Sequence, residues 1–166
     1  TCAQEVANDT SADFGLAAAS YLRERIYSFK AQRFNLGVSQ VGTNNVLKPD
    51  AGNLPEVLSV LQGSNPNLFA KFNEYVRQIF PTVYLASVRN IPDYKLEVII
   101  WTENPASQRD DLAVPLAESG TGIGQVLAIL YVVLTSRYSR TILIDEPNSF
   151  LHPAAARKLI EILKLD

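Results

Sequence analysis

The sequence predicts an α/β fold, with a mixed sheet flanked by helices. Three observations carry that expectation. Thr141 to Ile144 is a short apolar, largely β-branched run that ends on two adjacent carboxylates, Asp145 and Glu146. Around it, the C-terminal third of the chain alternates helix and strand signals. Before it, Val83–Val88, Lys95–Thr102 and Leu112–Leu116 read as strands of an antiparallel or mixed central sheet.

Taken in order, residues 1–12 are small and polar and are expected to form a flexible lead-in. Asp13 is placed to cap a helix reaching about Arg25, with Phe14, Ala17, Ala18, Tyr21 and Leu22 at helical spacing. Ile26-Tyr27-Ser28-Phe29 alternates as a strand does. Arg33 to Asn53 is rich in Gly, Asn and Ser and reads as a surface loop, with a turn at Pro49–Gly52. Helices are expected at Pro55–Leu61 and Pro66–Phe80, the second with Leu68, Phe72, Tyr75, Val76 and Ile79 on one face. Arg89–Asp93 is a hairpin-like connection and Glu103–Asp111 a polar loop. Trp101, Tyr84 and Tyr94 are expected to pack the central sheet, and Arg137 and Arg140 to be surface charges. A helix from Ile123 to about Ser136 precedes the Thr141–Ile144 strand, and another runs from Pro153 to about Leu165.

At 166 residues the chain is long enough for one domain with a sizeable core. Its 47% hydrophobic and 19% charged composition is that of a globular protein and not of a disordered one. A formal net charge of −2 and a pI near 5.4 give no global case for nucleic-acid binding. The single cysteine, Cys2, excludes an intrachain disulfide framework and fits a reducing cytoplasm, the expected location. The single histidine, without cysteine partners, leaves no zinc cluster. No apolar run reaches membrane-spanning length; Val126–Leu134 reads as a buried helix, so no membrane association is expected. A chain that contains no Met and begins at Thr1 is expected to be a piece of something longer.

The carboxylate pair is the strongest chemical signal. A buried strand in a parallel sheet delivers its C-terminal residues to the crevice where ligands bind. Alternation along the strand then aims Asp145 and Glu146 in different directions, so the pair can do two jobs. In a nucleotide hydrolase the first acid holds a magnesium ion and the second takes a proton from the attacking water. The competing reading is an acidic turn stopped by Pro147. Upstream, Glu118-Ser119-Gly120-Thr121-Gly122-Ile123-Gly124-Gln125 opens a helix whose free N–H groups and dipole favour an anion. Glycines 120, 122 and 124 would let the backbone approach a phosphate, whereas the plainer reading is a capped helix with a flexible entry.

This order of small-residue loop, helix, strand, acid pair, tight turn and helix resembles the C-terminal half of an ABC-type ATPase head, over about Val114–Leu163. The chain is most similar to the RecF/OLD-like branch, whose members often carry a Walker B strand followed by Asp-Glu-Pro and then Leu-His-Pro. Here these are Ile142-Leu143-Ile144-Asp145-Glu146-Pro147 and Leu151-His152-Pro153. A weaker likeness runs through Ile26–Arg33 and Leu47–Leu61, including Pro49-Asp50-Ala51-Gly52-Asn53-Leu54-Pro55. The resemblance implies the C-terminal part of a P-loop NTPase head, with 1–166 a single partial ATPase domain. It makes Asp145 the metal residue and Glu146 the catalytic base. Ser119, Gly120, Thr121, Gly122 and Gln125 become nucleotide-binding residues acting in trans across a dimer, with Ser149 and His152 in the D-loop. His152 would sense γ-phosphate or simply cap the following helix. The signature departs from the family's Leu-Ser-Gly-Gly-Gln, reading Glu-Ser-Gly-Thr-Gly-Ile-Gly-Gln.

A phosphate-cradling loop needs Gly, four residues, then Gly-Lys-Ser or Gly-Lys-Thr, and the sequence contains no Gly-Lys dipeptide. The resemblance places that Walker A motif upstream of everything present and a switch histidine downstream. Arg33 is a lesser candidate for phosphate in the assembled site. The parent is therefore expected to be an AAA family ATPase using ATP and Mg2+, self-associating through its heads or joining an ABC-like partner subunit. DNA would be met through the parent, in DNA repair or anti-phage defence, and this chain alone is expected to be inactive. Two rivals stay open: a non-catalytic interaction module with the same fold, and an NAD-type dinucleotide binder. The latter rests on Gly120-x-Gly122-x-Gly124 after a possible strand and an acid at Asp145, although Gln125 stands where the fingerprint wants its last glycine.

Overall fold

A computed structural model describes residues 14–22, 25–29, 36–107, 109–136, 140–145 and 151–164. The expected lead-in, Asp13, Arg33, Arg137, Glu146 and Ser149 lie outside the described residues. Helix α1 covers 14–22 and strand β1 Ile26–Phe29, followed by β2 at Val38–Gln40. Helices α2 (Leu54–Ser64) and α3 (Pro66–Ile79) lead into β3 (Leu85–Ile91), β4 (Lys95–Trp101) and β5 (Ala113–Pro115). Helix α4 (Thr121–Thr135), β6 (Thr141–Ile144) and α5 (Pro153–Leu163) complete the order.

The strands form two sheets, which bears out the mixed α/β expectation. β1 and β6 pair in parallel, Tyr27 opposite Ile142 and Phe29 opposite Ile144. The second sheet is antiparallel. β3 runs along one edge of β4, while β2 and then β5 share the other, opposite Lys95–Glu97 and Ile99–Trp101 respectively. One core joins both sheets to the helices, with Phe72, Leu54, Leu58, Val98, Ile100 and Leu127 among its largest fully buried side chains. Helix α4 is its centre: every residue from Val126 to Val132 is at most 3% exposed.

Local chemistry explains most boundaries. Pro66 occupies the first turn of α3, where a missing N–H costs nothing, and the Asn65 side chain accepts from Leu68 N–H at 3.1 Å. Asn53, by contrast, braces the preceding loop: it accepts from Lys48 N–H at 2.8 Å and donates to Val46 O at 3.1 Å. The buried Glu56 carboxylate accepts from Asn44 N–H at 3.0 Å and Asn44 Nδ2 at 2.7 Å. A Cβ on Gly42 would stand 1.9 Å from Glu56 Oε1, so a side chain there would displace that carboxylate from its bonds to Asn44.

Several expectations need correction. The loop predicted across Arg33–Asn53 contains strand β2, whose three residues are too few to give a period-2 signal. The turn of the central hairpin is Pro92-Asp93-Tyr94, with positive φ at Asp93 and Tyr94, and Arg89 to Ile91 stay in β3. Tyr94 is therefore at a hairpin tip, 86% exposed, and Tyr84 is 41% exposed, so neither packs the sheet. Trp101 does, its Nε1 donating to Ser87 Oγ at 3.0 Å. The strand at Thr141–Ile144 was expected to be buried, yet it alternates, with Leu143 52% exposed and Ile142 and Ile144 turned to the core. Arg140 is half-buried, its guanidinium 5.7 Å from the Tyr27 ring centroid, and is no ordinary surface charge.

The outer edge of β3 shows how helices and sheet are locked together. An edge strand presents unpaired backbone groups, and here side chains of α2 and α3 meet them. Ala86 N–H donates to Asn73 Oδ1 at 2.7 Å, Val88 N–H to Gln62 Oε1 at 3.1 Å, and Tyr84 O accepts from Arg77 at 3.2 Å. Asn73 is 2% exposed. Asn73→Ala is expected to destabilise the fold by about 1–3 kcal/mol, because it strands a buried N–H. Gln62→Ala, at an exposed bond, should cost less. Urea denaturation of both variants checks the order.

A second test concerns Tyr131 in α4, whose hydroxyl donates to Asn45 O at 2.6 Å and ties the loop to the helix. Burial pushes its pKa up to about 12, above an ordinary value near 10. The sign follows. A folded-state pKa above the unfolded one gives stability that is complete below pH about 10 and is lost as pH rises towards 12. Chemical denaturation across that window should show the loss, and Tyr131→Phe should flatten it.

Candidate functional site

Helix α4 and strand β6 form one α–β unit, and the candidate residues sit at its two outer ends. At the first end, Ser119 closes a short 3-10 turn, Leu116–Glu118. Its N–H and its Oγ both donate to Leu116 O, at 3.2 and 3.0 Å. Gly120 follows with φ 93 and ψ 146, a conformation essentially reserved for glycine, and is exposed. It caps α4 with no side-chain hydrogen bond, so the helix presents its first backbone N–H groups without one.

The remaining glycines do something else. Thr121 is already the first residue of α4, which places Gly122 and Gly124 inside the helix, and both are buried. A Cβ on Gly124 would lie 3.1 Å from Leu36 Cδ1 and 3.5 Å from Leu116 Cδ2, so this glycine serves helix packing. Only Gly120 has the open backbone that the sequence pattern suggested for all three. Gln125 is 3% exposed within the core face of α4 and is not presented to solvent in this structure.

At the other end, Asp145 follows β6. Its N–H donates to Phe29 O at 2.9 Å, extending the parallel ladder one residue beyond the strand, and the residue is exposed. The backbone is thus held while the carboxylate faces water. Beyond the undescribed turn, Leu151 is buried at 4% exposure while His152 is exposed, so the Leu-His-Pro run anchors α5 through its leucine. His152 is the N-cap of α5: its Nδ1 accepts from Ala154 N–H at 3.3 Å, which leaves Nε2 for another partner. Among the described residues, no hydrogen bond or ion pair joins Ser119, Gly120, Asp145 and His152 to one another. Nor does any group of three His, Cys, Asp or Glu form there.

The topology disposes of the dinucleotide rival. β5 is antiparallel to β4, whereas β6 is parallel to β1 in the other sheet. Helix α4 therefore joins two sheets and is not the crossover of a parallel βαβ unit, which that fold requires.

Residues 48–166 match the family described as "AAA domain, putative AbiEii toxin, Type IV TA system". The chain belongs to this family. No curated protein and no solved structure matches it. Membership makes the chain an AAA-type, P-loop ATPase-like domain, a nucleotide-binding class, and the mixed α/β fold agrees. The match covers α2 through α5, and with them Ser119, Gly120, Asp145 and His152. No helix among the described residues is long and apolar enough to cross a membrane.

Gly120 gives this site a direct test. A Cβ there would meet nothing within 4 Å, so any cost of Gly120→Ala is backbone strain alone. That strain is expected to be about 1–3 kcal/mol. Denaturant midpoints should record the loss, and an unchanged midpoint would mean that the turn before α4 relaxes freely.

Proposed function

We propose that this chain is part of a magnesium-dependent ATP-hydrolysing head whose nucleotide is shared between two subunits. The observation that supports the reading most is Asp145: a carboxylate at the C-terminal end of a parallel strand, its backbone fixed to Phe29, its side chain open to solvent. Ligand sites in α/β sheets gather at such strand ends. An exposed oxygen donor also suits a hard cation that keeps part of its water shell.

In this reading Asp145 holds Mg2+, which supplies charge neutralisation at the phosphates. Glu146, next in sequence, accepts a proton from the attacking water. Ser119 and Gly120 offer donors at the start of α4 to a γ-phosphate held by the partner subunit, with Thr121, Gly122 and Gln125 supporting that turn from within the helix. The buried position of Gln125 makes it a positioning residue here and not a ligand. Ser149 and His152 form the D-loop, and the Nε2 of His152 is the side of the ring available to a neighbour. The Lys that would neutralise the β- and γ-phosphates comes from a Gly-Lys-Ser/Thr loop outside these residues, so the chain by itself should bind ATP weakly. Membership of a RecF/OLD-like branch, and an output in DNA repair or anti-phage defence, belong to the same proposal. The family's description as a putative toxin of a type IV system adds a toxin's role as a further output. A non-catalytic interaction module remains the second reading, favoured by the fact that no group of three His, Cys, Asp or Glu comes together among the described residues.

The acid pair separates these readings in a full-length parent protein. Glu146→Gln should keep ATP binding, lower turnover by roughly a hundredfold or more, and trap a closed dimer, since an amide has the shape but not the basicity. Asp145→Asn should instead weaken magnesium-dependent nucleotide binding. Steady-state hydrolysis, nucleotide titration and ultracentrifugation measure these, with a thermal melt to confirm folding. Hydrolysis at the normal rate in a folded Glu146→Gln variant would defeat the catalytic reading and leave the interaction module.

A further inference from the structure

A cavity of about 370 Å³ opens where the end of β2 and the loop after it meet the first turn of α2. Gln40, Val41, Asn44, Lys48, Asn53 and Glu56 are among the residues that line it. Its size is at the lower end of the range for small-molecule sites.

Glu56 gives the cavity its chemical character. The residue is 6% exposed, yet its carboxylate forms no ion pair, and every bond it accepts comes from an amide. Oε1 accepts from Asn44 N–H at 3.0 Å and from Asn44 Nδ2 at 2.7 Å. Oε2 has a single contact, Asn53 Nδ2 at 3.5 Å, which is the outer limit of a hydrogen bond. A carboxylate has about four acceptor positions, so Oε2 keeps room for a further donor. The first turn of α2 sets a helix dipole against the charge, but a dipole is no counter-ion. Buried charges are ordinarily paired, and among the described residues the fold supplies no cation for this one.

The rest of the lining suits a cationic guest. The Gln40 side-chain amide makes no hydrogen bond with a described residue and offers a neutral acceptor. Val41 is 53% exposed and offers an apolar surface. Lys48 is the one cation among the described lining residues; it is exposed and forms no ion pair with Glu56. An exposed ammonium keeps its water and is screened by salt, whereas a buried carboxylate is screened much less. The acid therefore decides the sign of the site.

We propose that this cavity binds a small organic cation, whose N–H group donates to Glu56 Oε2 and whose apolar portion lies against Val41. Primary ammonium and guanidinium groups share that chemistry. The inference is independent of the ATPase reading, because none of these residues is among those assigned to the nucleotide or the metal.

The test uses the 166-residue chain, amide-resolved NMR, and two probes titrated separately as chlorides, butylammonium and methylguanidinium, with sodium chloride as the control for ionic strength. Saturable shifts are expected at residues 39–44, 48 and 52–56. Saturation by one probe alone assigns that group, and saturation by both assigns a general organic-cation site. Glu56→Gln keeps the shape and an acceptor for Asn44, and should weaken binding about tenfold, the usual loss for a hydrogen bond to a charged group. Lys48→Met removes a like charge from the lining and should tighten binding about twofold. Its exposed position keeps the test open if Glu56→Gln fails to fold. The proposal is overturned if neither probe saturates, if sodium chloride produces the same shifts, if folded Glu56→Gln binds as tightly as the parent chain, or if Lys48→Met binds more weakly.

Discussion

The whole structure depends on the burial of α4. A helix that is apolar on every side has no solvent face, so it is stable only when packed all round. From Val126 to Val132 no residue exceeds 3% exposure, and the helix packs against α3 and into the common core of both sheets. That packing fixes its axis, and its axis fixes both ends. One end brings Gly120 to the surface; the other hands the chain to Arg140 and β6. A shift of the helix along its length would move both at once.

Because α4 is so apolar, its few polar groups act as fasteners. Tyr131 reaches the loop at Asn45, and that loop is braced from below by Asn53 and by the Glu56 carboxylate. Helix α2, which carries Glu56, also reaches the edge of β3 through Gln62, while α3 does so through Asn73 and Arg77. The antiparallel sheet is thereby tied to the helical layer by hydrogen bonds at an edge, as well as by apolar burial. The bond between Asn73 and Ala86 is buried, and there leaving the bond unmade is costly even though making it adds little net energy, so it helps to specify a single arrangement.

What could be read from the sequence follows from what leaves a local pattern. β1 was legible to the residue because Ile26-Tyr27-Ser28-Phe29 alternates, and α3 because Pro66 and a regular apolar face mark it. The end of β6 at Asp145 was legible because apolar residues give way to acids there. Features set by distant contacts were not. Val38–Gln40 is a strand only because β4 offers it an edge. Gly124 looks like a loop glycine until Leu36, distant in sequence, is seen against it. For the site, the sequence supplied the identities and order of Ser119, Gly120, Asp145 and His152. Their different states (turned inward, open, exposed, capping) required coordinates.

One strand separates two opposite electrostatic settings. Arg140 precedes β6 and Asp145 follows it, and four strand residues lie between them. At a rise of about 3.3 Å per residue their backbones are roughly 16 Å apart. That is about twice the screening length in physiological salt. Asp145 is also exposed, which screens it further. A cation at the carboxylate end and the Arg140 guanidinium would therefore interact weakly through space. Any influence of one on the other has to pass through the packing of β6 and α4. Since α4 is close-packed along most of its length, a displacement at its C-terminal joint is passed along the helix more readily than it is absorbed. The mechanical link between the two ends is consequently stronger than the electrostatic one, and it runs through the same buried helix that organises the fold.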